Sequence, residues 1–261
     1  MTVLVTGGAG YIGSHMVYAL VAAGERVVVL DNLTTGFDWA VSPEATLVQG
    51  ETGDQALVAS LIKQHGIEAI IHFAASIVVP DSVADPLGYY KNNTVNSHAL
   101  IECAVQGGVK HFIFSSTAAV YGEPAHVPVS ETESLKPMSP YGRSKLMVEW
   151  MLEDTAKAHD LSYVVLRYFN VAGADPQGRI GQSTPNATHL IKVAVQTALG
   201  RRQAWRCSAR ILRRPTAGAC AIRSRSPIWH ARMSMRLIIC VLAAAISPAM
   251  SVMPAAIPCS T

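Results

Sequence analysis

Cysteine is nearly missing from the first 202 residues, where Cys103 stands alone; the other four lie beyond residue 206. One thiol on a segment of helical period excludes a disulfide framework for that region and fits a reducing compartment. Acidic residues and lysine are absent from residue 203 onward, where eight arginines carry all the ionised charge. The net charge of +3 therefore averages two unlike regions, because residues 1–202 hold all 18 acids against 13 Lys and Arg and stand at −5. That balance excludes a basic nucleic-acid face on the first region. Long apolar runs are also lacking. The longest candidate, Leu237–Ile246, is stopped by Ser247 and Pro248, far short of the ~18–20 residues that a spanning helix needs. No charged leader precedes the first strand, so neither a secretory signal nor a membrane is expected, and the first region reads as cytoplasmic. Paired Cys, His and acidic residues at metal-ligand spacing are lacking as well; His72 and His111, at strand ends, read as packed or edge residues, and no metal is expected.

What is present is a regular alternation. Val3–Val5, Arg26–Leu30, Thr46–Gln49, Ala69–Phe73, His111–Ser115 and Tyr163–Arg167 are short runs rich in Val and Ile, as expected for strands covered on both faces. Between them Ile12–Ala23, Gln55–Gln64, Pro86–Gln106 and Tyr141–Ala158 have helical period. Repeated strand–helix units predict an α/β fold with a doubly wound parallel sheet of the Rossmann type.

Two constellations carry chemistry. The first strand leads into Thr6-Gly7-Gly8-Ala9-Gly10-Tyr11-Ile12-Gly13, with glycines spaced G-x-x-G-x-x-G, and then into a helix. Such a turn lets backbone approach a pyrophosphate at a helix N-terminus. Glycines in a turn are weak alone, but Asp31 closes the second strand, where a carboxylate can accept from ribose hydroxyls and repels a 2′-phosphate. This favours NAD over NADP; a solvated strand-end residue is the plainer alternative. The second constellation is Tyr141-Gly142-Arg143-Ser144-Lys145, which puts a phenol and an ammonium on one helix face at i and i+4. A tyrosine ionises near 10 and is a poor base at neutral pH unless a neighbouring cation stabilises the phenolate. Alone the pair is often just a solvated face. Ser115-Ser116-Thr117 follows a core strand and supplies a hydroxyl at the sheet edge where ligands sit in this fold.

These motifs in this order resemble the extended short-chain dehydrogenase/reductase family, and within it the UDP-glucose 4-epimerases, over residues 1–202. Further segments carry the resemblance: Asp31-Asn32-Leu33-Thr34-Thr35-Gly36, His72-Phe73-Ala74-Ala75, Tyr89-Tyr90-Lys91-Asn92-Asn93, Phe114–Gly122, Ser139–Glu149 and Leu166–Gly173. The resemblance implies that Gly7, Gly10, Tyr11, Ile12, Gly13, Asp31, Asn32, Leu33, Thr34, Thr35, Gly36, Glu51, Thr52, Phe73, Ala74, Ala75, Asn93, Thr117, Tyr141, Lys145 and Phe169 contact NAD. It implies catalysis by Tyr141, Lys145 and Thr117, and a sugar nucleotide, UDP-glucose or UDP-galactose, facing Thr117, Tyr141 and Asn170. Glu51-Thr52 stands where the family often has Asp-Ile, and Ile77 lies near a common lysine position. The related 4,6-dehydratases use an acid pair after the hydroxyl residue; here Ala118 and Ala119 leave no proton donor for elimination. By the same analogy helices such as Pro86–Gln106 and Tyr141–Ala158 pair subunits, implying a homodimer.

The expected organisation is an NAD-binding domain over 1–175, the beginning of a substrate domain over 176–202, with Thr188-His189-Leu190 at the start of the grip on the nucleotide, and an irregular tail over 203–261. The tail reads as out-of-frame coding sequence. Codons that spell Gln203–Ile211 can be read two bases later as Gly-Met-Glu-Val-Phe-Gly-Thr-Asp, which is similar to the segment after Gly-Arg-Arg in the epimerases. The same offset permits epimerase-like text across Ile228–Cys240 and Cys240–Ser251, while Ala219–Arg225 does not recover it, as a second small indel would produce. Two functional hypotheses stay open: an epimerase of UDP-glucose or another UDP-sugar, and a non-catalytic NAD-binding fragment.

Overall fold

The computed structural model describes residues 1–124, 127–185 and 189–202, together with the backbone of 221–223 and 250–252. The remainder of the 203–261 tail and Thr188 lie outside the described residues.

The strands are β1 (Thr2–Thr6), β2 (Arg26–Asp31), β3 (Thr46–Gln49), β4 (Ala69–His72), β5 (His111–Thr117) and β6 (Ser162–Tyr168), all parallel and ordered β3-β2-β1-β4-β5-β6. Each prediction of a strand is met within two residues at either end. A short β7 (Val171–Gly173) comes next; β8 (Ala221–Arg223) pairs antiparallel with β6, and β9 (Met250–Val252) with β7.

Period-two alternation divides the core into two layers. Val3, Val5, Val29 and Ile71 face Val17 and Leu20 of helix α1 (Tyr11–Ala22). Leu4, Leu30, Ile70, Phe112 and Phe114 face the opposite layer, built from α2 (Gln55–His65), α5 (Asn96–Gln106) and α6 (Pro140–Ala158). Covering both faces is what makes the strands continuously apolar.

Helix starts obey local chemistry. Asp54 accepts from the Leu57 amide at 3.0 Å to begin α2, and Ser139 accepts from Gly142 at 3.1 Å, with Pro140 in the first turn, to begin α6. The single helix expected over Pro86–Gln106 is instead α4 (Pro86–Tyr90), a π-helical turn at Lys91–Val95 and α5. A further helix, α3 (Val79–Ala84), precedes it, and α7 (Leu190–Ala198) ends the described body. The widened turn brings Asn93 inward, which helical period alone does not reveal.

Leu100 is fully buried in the second layer, packed within its apolar cluster. Leu100→Ala is expected to cost about 2–5 kcal/mol of unfolding free energy, read as a lower urea midpoint.

Candidate functional site

The strand order reverses direction between β1 and β4, and in sheets of this kind ligands sit above the carboxyl ends at that reversal. Gly7 ends β1 with φ +73°, and a Cβ there would lie 2.5 Å from the Ala74 nitrogen; at Gly13 a Cβ would lie 2.1 Å from the Gly7 carbonyl. No other residue fits either place. Gly10 is the N-cap of α1, without a side-chain cap and without an acid in the first turn, so the N–H groups around Tyr11, Ile12 and Gly13 keep their free ends and their positive dipole. An anionic diphosphate fits this cradle.

Asp31 ends β2 almost fully buried. Its Oδ2 accepts from the Ala9 amide at 2.9 Å and its Oδ1 from the Leu33 amide at 2.8 Å, so it ties the glycine turn to the loop after β2. A carboxylate retains acceptor capacity beyond these two bonds, so ribose hydroxyls still fit. Leu33 takes a left-handed φ of +60°, and Asn32 both accepts from the Thr34 amide and donates to Glu51 at 3.1 Å. Thr35 and Gly36 continue that loop against Ala9, while Thr52 is buried beside exposed Glu51. Phe73 and Ala74 leave β4 with both amides on the Thr6 carbonyl, and Ala75 comes next.

The second group meets at β5 and α6. Thr117 ends β5, and its hydroxyl acts on the Tyr141 phenol, lowering its pKa. Lys145, only 2% exposed, donates from Nζ to the Ser115 carbonyl at 2.9 Å and lies 4.8 Å from the centre of the Phe114 ring. Burial pulls its ammonium down to about 7, against the opposing charge of Glu149. Burial raises the Tyr141 phenol, the Thr117 hydroxyl lowers it, and Tyr89 raises it. Phe169 and Asn170 project exposed beyond β6, on the same carboxyl edge.

Asn93 is spent internally. Its amide nitrogen donates to the Ser76 carbonyl at 2.9 Å and to Ser144 Oγ at 3.1 Å, and its oxygen accepts from the Ser76 amide at 2.8 Å. Ser144 in turn donates to the Tyr141 carbonyl at 2.7 Å. Asn93 thus ties the strand end after β4 to the helix carrying Tyr141.

Sequence reasoning singled out neither Glu149 nor Arg167. Arg167 on β6 has no exposed surface, and its guanidinium forks onto Glu149 of α6 and donates to the Tyr121 hydroxyl. The spacing was there to be read: Tyr141, Lys145 and Glu149 are i, i+4 and i+8 on one helix face.

His72 is fully buried, in keeping with a packed residue. Ser97 donates to the Asn93 carbonyl at 2.6 Å, so it can only accept from His72 Nε2 at 2.7 Å; Nδ1 is then the acceptor for Thr6 Oγ1 at 2.6 Å. The ring is the neutral Nε2–H tautomer. Burial first, and Lys145 second, press its pKa down to about 3. His111 is half-buried, with an Nδ1 that has no partner.

An uncapped helix behind a glycine turn, with an acid at the end of the second strand, defines a doubly wound α/β protein of the dinucleotide-binding class. Residues 3–207 match the NAD dependent epimerase/dehydratase family, and the chain belongs to that family. It is 54% identical over 200 residues to the UDP-glucose 4-epimerase of Azospirillum brasilense, covering 77% of this chain and 58% of that one. It is 47% identical to the enzyme of the same name from Halalkalibacterium halodurans over 203 residues, covering 78% of this chain and 60% of that one. Among solved structures, UDP-glucose 4-epimerase from Brucella ovis in complex with NAD matches with a TM-score of 0.76 at 44% identity, covering 78% of this chain and 62% of that one. The enzyme from Bifidobacterium longum in complex with NAD+ and UDP matches with a TM-score of 0.74 at 33% identity, covering 78% and 64%. The chain therefore spans about three fifths of the length of the relatives it matches.

The folded His72 refuses a proton that the unfolded chain accepts near 6.5. Its contribution to stability is whole above that pH and is lost progressively as pH falls toward about 3. Urea midpoints are expected to drop between pH 7 and pH 5 (both within ordinary buffer range), and to drop less in His72→Gln.

Proposed function

We propose that this chain derives from a UDP-glucose 4-epimerase, which interconverts UDP-glucose and UDP-galactose with bound NAD in the cytoplasm. The observation that supports it most is the meeting of α6 with the carboxyl end of β5, where buried Lys145 bonds the Ser115 carbonyl and the Tyr141 phenol is set against Thr117, at the edge of the sheet that carries the glycine cradle.

Gly7, Gly10, Tyr11, Ile12 and Gly13 would hold the pyrophosphate of NAD, and Asp31 to Gly36 its adenosine ribose. Glu51, Thr52, Phe73 to Ala75 and Phe169 would line the rest, with Asn93 behind them, its amide engaged by Ser76 and Ser144. The chemistry an oxidised nicotinamide supplies there is reversible acceptance of hydride from the sugar C4. The protein's own part is proton transfer. Tyr141, as phenolate, takes the proton of the 4-hydroxyl directly or through Thr117, and returns it when the sugar is reduced again. Lys145 stabilises that phenolate with its ammonium, and Asn170 faces the sugar nucleotide. The two alanines after Thr117 supply no acid for elimination, which separates this site from the dehydratases of the same family. Homodimerisation through α5 and α6 rests on analogy, with Trp150 of α6 53% exposed and available for it.

The tail favours a second reading for the chain as it stands. The family match ends at residue 207, within a few residues of the place where acids and lysine vanish. We infer a shifted reading frame near Arg202, so that the region completing the grip on the nucleotide is replaced. Remote binding energy positions the reacting carbon, and without it chemistry loses its orientation. The chain would then be an NAD-binding fragment.

Purified chain is expected to carry bound-nicotinamide absorbance and to show no turnover of UDP-galactose in a coupled assay; turnover at ordinary enzymatic rates refutes the fragment reading. Re-sequencing the gene around the Arg202 codon should reveal the missing or extra base. With the frame restored, UDP-galactose is turned over, and Tyr141→Phe should slow that turnover about 10²–10⁴-fold. A restored protein inert toward UDP-glucose and UDP-galactose but active on another UDP-sugar would move the substrate assignment.

A further inference from the structure

The Glu149–Arg167 pair lies just behind the site, and stability is a poor reason for it. Arg167 Nε sits 3.0 Å from both carboxylate oxygens, Nη2 reaches Oε2, and Nη1 lies 3.1 Å from the Tyr121 hydroxyl, all without solvent. Two charges so deeply buried lose hydration that their attraction only partly returns, and apolar side chains of similar size would commonly serve a core as well. Fixing one register is what such a pair does better than an apolar contact, and the other partner of Glu149 shows which register. Ser116 of β5 donates its hydroxyl to Glu149 Oε1.

Ser116 lies between the two strand residues that the site uses. Its predecessor, Ser115, offers the carbonyl that receives Lys145 Nζ, and its successor, Thr117, offers the hydroxyl that lowers the pKa of Tyr141. Three successive turns of α6 therefore meet three successive residues of β5: Tyr141 with Thr117, Lys145 with Ser115 and Glu149 with Ser116. At the edge of the sheet the Lys145 rung is a single hydrogen bond, and the Tyr141 rung is the influence of the Thr117 hydroxyl on the phenol. The third is anchored through Arg167 to β6 and through Tyr121 to the turn after β5.

We propose that Glu149 is a positioning residue, which holds Ser116 against the Arg167 anchor and so sets the spacing at which Thr117 meets Tyr141 and Ser115 meets Lys145. This rests on the reading of Tyr141 as the base. Its charge has a second consequence, since Glu149 opposes the burial that discharges the Lys145 ammonium. The ionisable group that acts on the phenol is Tyr89 from α4, while Lys145 and Glu149 follow it on its own helix and act on each other.

The test is the ionisation of Tyr141 in the full 261-residue chain. Tyrosinate absorbance is titrated for each protein, and the titration of its Tyr141→Phe counterpart is subtracted, which leaves one phenol. Ser116→Ala keeps the Glu149–Arg167 pair and removes only the rung; it should move the Tyr141 ionisation up by about one pH unit, because a phenolate with looser donors is less stabilised. Glu149→Gln should move it at least as far, and Ser116→Thr, which returns the hydroxyl, should bring it back. An unmoved ionisation in folded Ser116→Ala overturns the proposal. A lowered urea midpoint with an unmoved ionisation overturns it too, since the network then only braces the fold. If Glu149→Gln fails to fold, the two Ser116 variants decide. The titration needs neither cofactor nor sugar, so its failure is distinct from a failure of the epimerase reading, which shows as inactivity of the frame-restored protein toward UDP-sugars.

Discussion

Everything at this site depends on keeping a lysine ammonium out of water. Lys145 has almost no exposed surface and one hydrogen-bond acceptor in reach, the Ser115 carbonyl. A lone charge in that position would shed its proton, because desolvation penalises the charged form. The opposing influence is on the same helix: Glu149, one turn further on, whose negative charge is itself held in place by Arg167. The result is an amine that ionises near neutrality, one turn along α6 from a phenol that burial holds above its ordinary value.

The architecture makes that balance possible. A parallel sheet sends all its carboxyl ends to one edge, and in the order β3-β2-β1-β4-β5-β6 the chain's connections diverge above the paired first and fourth strands. Glycines at residues 7 and 13 allow the first strand, the first helix and the end of β4 to come closer than any side chain would permit. Asp31 then spends both carboxylate oxygens on backbone amides, one in the glycine turn and one in its own loop. The cradle and the acid–base group are thus separate constructions joined by the strand ends. His72 links them: it bonds Thr6 on one side and Ser97 on the other, and Ser97 holds the turn that contains Asn93.

The last helix of the described body, α7, is mostly exposed. Leu190, Ile191, Val195 and Leu199 of this segment are exposed, and only Val193 is buried. Nearer the sheet, the chain is latched to α1, where Tyr11 donates to the Gly173 carbonyl at 2.7 Å and Arg179 stacks on Tyr18 at 4.4 Å. That latch keeps residues 173–181 close to the cradle.

The amino-acid sequence by itself determined the strands, because a strand covered on both faces must be continuously apolar and short. It also determined the glycine cradle and the Tyr141–Lys145 face, since both are local: their spacing along one chain segment fixes their spacing in space. The change of composition after residue 202 was equally plain, as charge patterning needs no fold to be read. Tertiary structure alone decided the rest. Asn93 turns inward because a π-helical turn is stabilised by contacts with Ser76 and Ser144, which lie 17 and 51 residues away in the chain. That Glu149 meets both Ser116 and Arg167 depends on two strands and a helix arriving together, and no periodicity within one segment records a meeting of three. The neutral form of His72 was decided in the same way, by donors and acceptors that come from distant parts of the chain and leave its ring nitrogens only one arrangement.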